Sequence, residues 1–195
     1  MGFHLTERRK KMKKAIILGL FLLTVGANSI FGQADLVDEY DRLVKKYKCV
    51  SEVWIEDKDP KGTNVRDAPS IKGKIIDVYE RETDDEPQGS VYILGYSNGW
   101  VKVLLKEGGD TNPNNDKTGW VSAKLVTANV QTKTGKPAVL YGSPKRSSKK
   151  VGKIPSENLI KIVGFGCFGF KIEYKGIIGW ISNEDVCGNP LTTCA

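Results

Sequence analysis

The chain has 195 residues, with 30 Lys+Arg against 23 Asp+Glu, and its one His is His4. A chain whose body lacks imidazole cannot run Ser-His-Asp or Cys-His nucleophilic catalysis or build the usual zinc enzyme sites. Six basic groups and one acidic group fall in residues 1–34, so the remainder carries 24 − 22 = +2 rather than +7, too little for a nucleic-acid footprint.

The N-terminus reads basic, apolar, then small. "RRKKMKK" precedes Ala15–Ala27, and Gly32 and Ala34 follow at small-x-small spacing. That is the layout of a secretory signal peptide over residues 1–34. Thirteen apolar residues fall short of the ~20 that a membrane span needs, and an uncleaved anchor is the alternative. Met12 is a second candidate start. No Cys follows the apolar run, which argues against a lipoprotein. Gly2 with Thr6 matches a myristoylation pattern, read here as chance in front of an export leader. The expectation is a secreted or periplasmic protein with no stable membrane anchor after cleavage.

Residues 35–50 are expected to hold a short helix. Leu36, Tyr40, Leu43, Val44 and Tyr47 fall at helical spacing, with acids crowding the start and lysines the end. From Cys49 the pattern changes to short strands. "EVWIE" puts Val53 and Ile55 on one face and Trp54 on the other. "TNVRDAPS" and "GKIIDVYE" are extended. Glu82, Asp84, Asp85 and Glu86 then form an acidic loop that lacks Ca²⁺-loop order. "VYILGY" and "WVKVLL" flank Ser97-Asn98-Gly99, a hairpin signal because Asn and Gly tolerate positive φ. A polar loop, "KEGGDTNPNNDKTG", leads to "GWVSAKLV" (residues 119–126), and "TANVQTKTGKPA" reads as a linker.

The pattern then recurs. "VRDAPS" (65–70) aligns with "LYGSPK" (140–145), Pro69 on Pro144; "NGWVKV" aligns with "FGFKIE", Trp100 on Phe170; Trp120 aligns with Trp180. The first unit covers residues 51–130 and the second 131–186, with a tail at 187–195. Their charges differ: residues 49–130 hold 10 basic and 14 acidic groups, or −4, and residues 131–186 hold 10 and 4, or +6. Units this small bury only ~60% of their unfolded surface, and closing a short-stranded sheet into a barrel hides its edges. The expected fold is all-β: two small β-barrels in tandem after a short N-terminal helix. In each, Gly119 or Gly179 lets backbone approach while Trp120 or Trp180 anchors the core.

Cys49, Cys167, Cys187 and Cys194 lack metal-ligand spacing. In an exported chain they point to disulfides, and three pairings are possible. Cys187 with Cys194, across the turn-rich "CGNPLTTC", is favoured, at about 2.5 kcal/mol in the chain-entropy model. Cys49 with Cys167 follows by default. Free thiols would suit a cytoplasmic chain.

Asn64, Val65, Arg66, Pro69, Ser70, Gly99, Trp100, Val103, Gly119, Trp120 and Val121 together make residues 51–126 resemble the bacterial SH3-like (SH3b) domain. The second unit keeps Pro144, Gly169, Gly179, Trp180 and Ile181 but has Val139, Leu140 and Tyr141 in place of Asn-Val-Arg. The resemblance implies tandem SH3-like barrels of five to seven strands on an exported protein. It also implies a role in binding peptidoglycan or its peptides, or in interaction with another protein.

Aromatics near barrel loops form grooves for extended peptide. The candidate ligand-binding residues are therefore Trp100, Tyr92, Tyr96 and Tyr141, with Asp67 as partner to a peptide amine or as a turn cap. Arg66 is expected to donate to backbone in the turn after "NVR". Lys145, Arg146, Lys149, Lys150 and Lys153 form a basic cluster, read as a solvated face that could also meet an anionic partner. No metal or cofactor is expected. The function expected is that of an exported, non-enzymatic binding module for peptidoglycan or cell-wall peptides. The alternative is an envelope protein that binds or inhibits another protein.

Overall fold

A computed structural model describes residues 40–80, 88–104, 116–132 and 135–188. The expected leader, the acidic loop and Cys194 lie outside them. The chain divides into two compact units, residues 1–45 and 46–195. The expected helix is present at 40–47, with its proposed first turns outside the described residues. No helix among the described residues is long and apolar enough to cross a membrane.

Among the described residues the other elements are antiparallel β-strands and two 3-10 turns. The first repeat contributes β1 (Ser51–Ile55), β2 (Thr63–Arg66), β3 (Ile75–Tyr79), β4 (Gln88–Ser97), β5 (Trp100–Leu104) and β6 (Thr118–Ser122). A 3-10 turn (Ala123–Leu125) leads into β7 (Val126–Val130). The second contributes β8 (Ala138–Tyr141), β9 (Lys150–Ile154), β10 (Leu159–Gly166), β11 (Gly169–Tyr174) and β12 (Ile177–Ser182). Another 3-10 turn (Asn183–Asp185) precedes β13 (Val186–Cys187). All thirteen strands form one sheet, in the order β3-β2-β6-β5-β4-β1-β7-β10-β11-β12-β8-β9, with β13 also on β7.

The stretch read as a linker therefore starts as a strand, and that strand belongs to both repeats. As the last strand of the first repeat, β7 pairs with β1 (Trp54 with Thr127). As the first strand of the second it pairs with β10 (Ile160 with Ala128) and β13 (Val186 with Val130). "TANV" looked loop-like because its apolar content is low, yet Val126, Ala128 and Val130 are all buried. They join the two cores into one cluster.

The repeat extends to single hydrogen bonds. Asp67 N donates to Lys74 O at 3.0 Å and Gly142 N to Lys149 O at 2.8 Å. Gly73 N donates to Ser70 O at 3.0 Å and Ser148 N to Lys145 O at 3.1 Å. Ala123 N donates to Gly99 O at 2.8 Å and Asn183 N to Phe168 O at 3.1 Å. Each pair of bonds sits at matching places in the two copies. The long central strands share a bulge as well, between Ile93 and Gly95 in β4 and between Ile162 and Gly164 in β10.

This register corrects one alignment. Val101 pairs with Val121, and Phe170 pairs with Ile181, so Phe170 corresponds to Val101 rather than to Trp100. The true counterpart of Trp100 is Gly169. A shift of one residue along a strand exchanges its faces: Phe170 is fully buried, while Trp100 stands half-buried on the other side. Trp54, read as facing away from the core, is buried at 6% exposure. Its strand is interior, flanked by β4 and β7.

Candidate functional site

Trp120 and Trp180 are not core residues. Side chains alternate along a strand, and the inward positions of β6 and β12 are taken by Val121 and Ile181, both fully buried. Gly119 and Gly179 also lie on the inward side. A Cβ on Gly119 would run into the Val65 Cγ1 methyl and come within 3.2 Å of Ile76 Cδ1. One on Gly179 would stand 2.9 Å from Val151 Cγ2 and 3.1 Å from Leu140 Cβ. In the repeated Gly-Trp pair the glycine packs, and the tryptophan is left on the outer face, half-buried.

On the first repeat that outer face carries a second tryptophan. Trp100 pairs with Ser122, and Lys102 with Trp120, across β5 and β6. Val101, Val103 and Val121 fill the inner face, so Trp100, Lys102, Trp120 and Ser122 share the outer one, each half-exposed. Diagonal cross-strand neighbours stand roughly 7–8 Å apart between Cα atoms, within reach of aromatic rings. Two indoles thus flank the Lys102 stem. The neighbouring hairpin turn has φ of 47° at Asn98 and 81° at Gly99, the type I′ geometry that Asn-Gly favours. Ser97 and Trp100 close it as a pair.

The candidate residues separate in this geometry. Trp100 and Tyr96 flank the Asn98-Gly99 turn, and Tyr96 packs its ring against the core. Tyr92 is buried at 7% exposure, in the strand pair with Glu52 and Leu104. Tyr141 is buried at 6% in the second repeat, edge-on to Phe168 with 5.8 Å between ring centroids. Burial withholds both tyrosines from a surface groove. Asp67 is exposed after β2, and among the described hydrogen bonds its backbone N–H holds the turn. Arg66 does donate to that turn, from Nη1 to Gly73 O at 2.7 Å. Trp120 and Lys102 were missed as surface candidates. The signal for them was the alternation of "WVKV" and "GWVS" with Val inward, outweighed by the assumption that a repeated Trp is core.

The second repeat presents a different face. Gly169 replaces Trp100, and the Trp180 ring passes over Gly166, 3.8 Å from where a Cβ would stand. Arg146 reaches Ser182 Oγ at 3.1 Å and Glu184 Oε2 at 2.6 Å. The turn matching Asn98-Gly99 is Cys167-Phe168, and Cys167 is disulfide-bonded to Cys49, a sequence separation of 118. This is the default pairing expected above. Cys187 is disulfide-bonded too. Such bonds persist in oxidising compartments, which fits an exported chain. No group of His, Cys, Asp and Glu that could hold a metal ion occurs among the described residues.

No protein-family model matches the chain, and no curated protein matches it. Among solved structures it is similar to NlpC2 from Trichomonas vaginalis, at 18% identity and a TM-score of 0.30, covering 70% of this chain and 47% of that one. NlpC1 from the same organism gives 20% identity and a TM-score of 0.29, over 70% and 45%. An NlpC/P60 family protein from Bacillus cereus gives 18% and 0.25, over 70% and 55%. The chain spans about half the length of each of these proteins, and likeness of this degree does not bear on function.

Proposed function

We propose that the protein is an exported, non-enzymatic binding module whose first repeat recognises peptidoglycan or cell-wall peptides on the outer face of β5 and β6. The observation that carries this reading is the pair of half-exposed indoles, Trp100 and Trp120, on neighbouring strands beside Lys102. Indole faces stack on the apolar faces of sugar rings and peptide side chains, and a lysine ammonium meets the carboxylates of a wall peptide. The resemblance of residues 51–126 to SH3b domains supports the same reading. The absence of any His beyond His4 supports a role without catalysis.

Retention of the exported protein on purified peptidoglycan tests it. Trp100→Ala is expected to weaken retention about tenfold, the effect of losing one aromatic contact of ~1.4 kcal/mol. No retention of the parent protein, or equal retention of Trp100→Ala, would contradict the proposal. The second reading, that the repeats bind another envelope protein, draws on Ile71, 76% exposed on the loop after β2. A stoichiometric protein partner recovered from the envelope, with no retention on purified wall, would favour it instead.

A further inference from the structure

Matching strands of the two repeats carry inverted chemistry at one place. In the first repeat Asp77 of β3 stands opposite Val65, and Lys117 bridges to it at 2.9 Å. Exposed Ile75 and Val78 lie on either side of that ion pair. In the second repeat Gly152 of β9 stands opposite Leu140, with Lys150 and Lys153 at the places of Ile75 and Val78. Ile178 pairs with Glu173 as Thr118 does with Leu104, so Ile178 takes the place of Thr118 and Ile177 that of Lys117. The ion pair has become an apolar contact: a Cβ on Gly152 would stand 3.4 Å from Ile177 Cδ1. A bulge in the β8–β9 pairing drops Val151 from register, so Lys150 and Lys153 fall opposite Tyr141 and Val139 and share one face.

These side chains are not used up inside the molecule. Lys145, Lys149, Lys150, Lys153 and Lys175 are exposed, and among the described residues none of the five forms an ion pair. Residues 143–155 hold five basic groups and no acidic one. The nearby acids are engaged, Glu173 by Lys161 and Glu184 by Arg146, and exposed Glu157 comes only after β9 has ended. Ile177 is 39% exposed and Ile178 55%. Among the described residues β9 pairs with β8 alone and is an edge of the sheet. We infer that this corner of the second repeat docks reversibly on the surface of an anionic phospholipid bilayer. Each lysine near such a surface strengthens binding about fivefold. Aliphatic side chains set among lysines enter the boundary between headgroups and acyl chains, while the lysine stems lie along them and the ammonium groups stay at the phosphates. The isoleucines select a bilayer over a soluble polyanion, which would satisfy the lysines and leave the aliphatics in water. The contact uses neither Trp100 nor Trp120 and is independent of the wall-binding proposal.

Co-sedimentation of the exported protein with lipid vesicles tests this. Binding is expected to vesicles of equal parts phosphatidylcholine and phosphatidylglycerol, and not to phosphatidylcholine alone. It should fall at least about tenfold at about 1 M salt, where the screening length is ~3 Å. Lys149→Gln/Lys150→Gln/Lys153→Gln should weaken it about a hundredfold, and Lys149→Arg/Lys150→Arg/Lys153→Arg should retain it. Ile177→Ser/Ile178→Ser should weaken vesicle binding about tenfold and leave binding to soluble polyphosphate unchanged. Ile75→Ser/Val78→Ser, at the matching places of the first repeat, should bind vesicles as the parent does. If Ile177→Ser disturbs the packing on Gly152, Ile178→Ser alone should still lower vesicle binding. No binding of the parent to the mixed vesicles, or equal binding to phosphatidylcholine alone, overturns the inference. Undiminished binding by the glutamine variant overturns it as well. Undiminished vesicle binding by the isoleucine variants also overturns it, and assigns the lysines to a soluble polyanion.

Discussion

The two repeats share a fold, a strand and a set of backbone hydrogen bonds, yet they present opposite outer faces. The first shows two tryptophans around a lysine beside an open Asn-Gly turn. The second has Gly169 where Trp100 would be, a ring laid over Gly166, and an Arg146 contact across Ser182 and Glu184. Its equivalent turn is tied to Cys49 by a disulfide. The difference teaches that one copy of a duplicated unit can serve as brace while the other keeps a surface for contact. The inner faces are apolar in both but bulkier in the second, where Leu140, Phe170, Ile172 and Ile181 stand at the places of Val65, Val101, Val103 and Val121.

Breaking the brace should have the largest effect. Removing the Cys49–Cys167 bond with Cys49→Ser/Cys167→Ser releases a loop of 118 residues, about 4.8 kcal/mol in the chain-entropy model. Denaturant unfolding should show a loss in the range of about 2–5 kcal/mol. Next come the paired glycines. Gly119→Ala should cost about 2–3 kcal/mol and Gly179→Ala about 1–2, within the usual cost of overpacking. The order follows from the tighter approach of Val65 to Gly119 than of Val151 to Gly179, and thermal melts of both variants would check it.

The strands were largely legible in the sequence because one buried face imposes alternation, and the Asn98-Gly99 turn was legible because few residue pairs accept two positive φ values. What was not legible depended on register. The aromatic match of Trp100 to Phe170 looked natural as text, but a one-residue offset puts the first ring outside and the second inside. The sharing of β7 could not be read because a strand's two partners leave no mark on its own composition. Tyr92 and Tyr141 looked available for contact because tyrosine suits both surfaces and interiors. Their burial is decided by neighbours far along the chain, Phe168 in the case of Tyr141.

Smaller perturbations sharpen the contrast. Arg146→Ala removes an exposed contact with Glu184, with exposures of 52% and 77%, so stability should change by about 0.5 kcal/mol or less. Wall retention should be unaltered if the second repeat does not bind. Smallest is the acid response of Asp77 in the first repeat. The hydrogen bond from Lys117 holds the Asp77 carboxyl below the usual carboxylate range, opposed by partial desolvation and helped by the Val78 N–H. The contribution is present above the unfolded value near 4 and is lost as pH falls through the lowered folded value. Gly152 occupies the equivalent place in the second repeat. Lys117→Met should therefore flatten a slight loss of stability on acidification, measured by melting between neutral and strongly acidic pH.

The most direct test uses the chain's own probes. It has four tryptophans, Trp54, Trp100, Trp120 and Trp180, and each indole N–H gives a separate NMR signal. On titration with a soluble peptidoglycan fragment, the Trp100 and Trp120 signals should move together with one affinity, while buried Trp54 and Trp180 of the second repeat stay in place. Movement of Trp180 with Trp100 and Trp120 unmoved, or no movement of any indole at saturating fragment, would contradict a binding face on the first repeat.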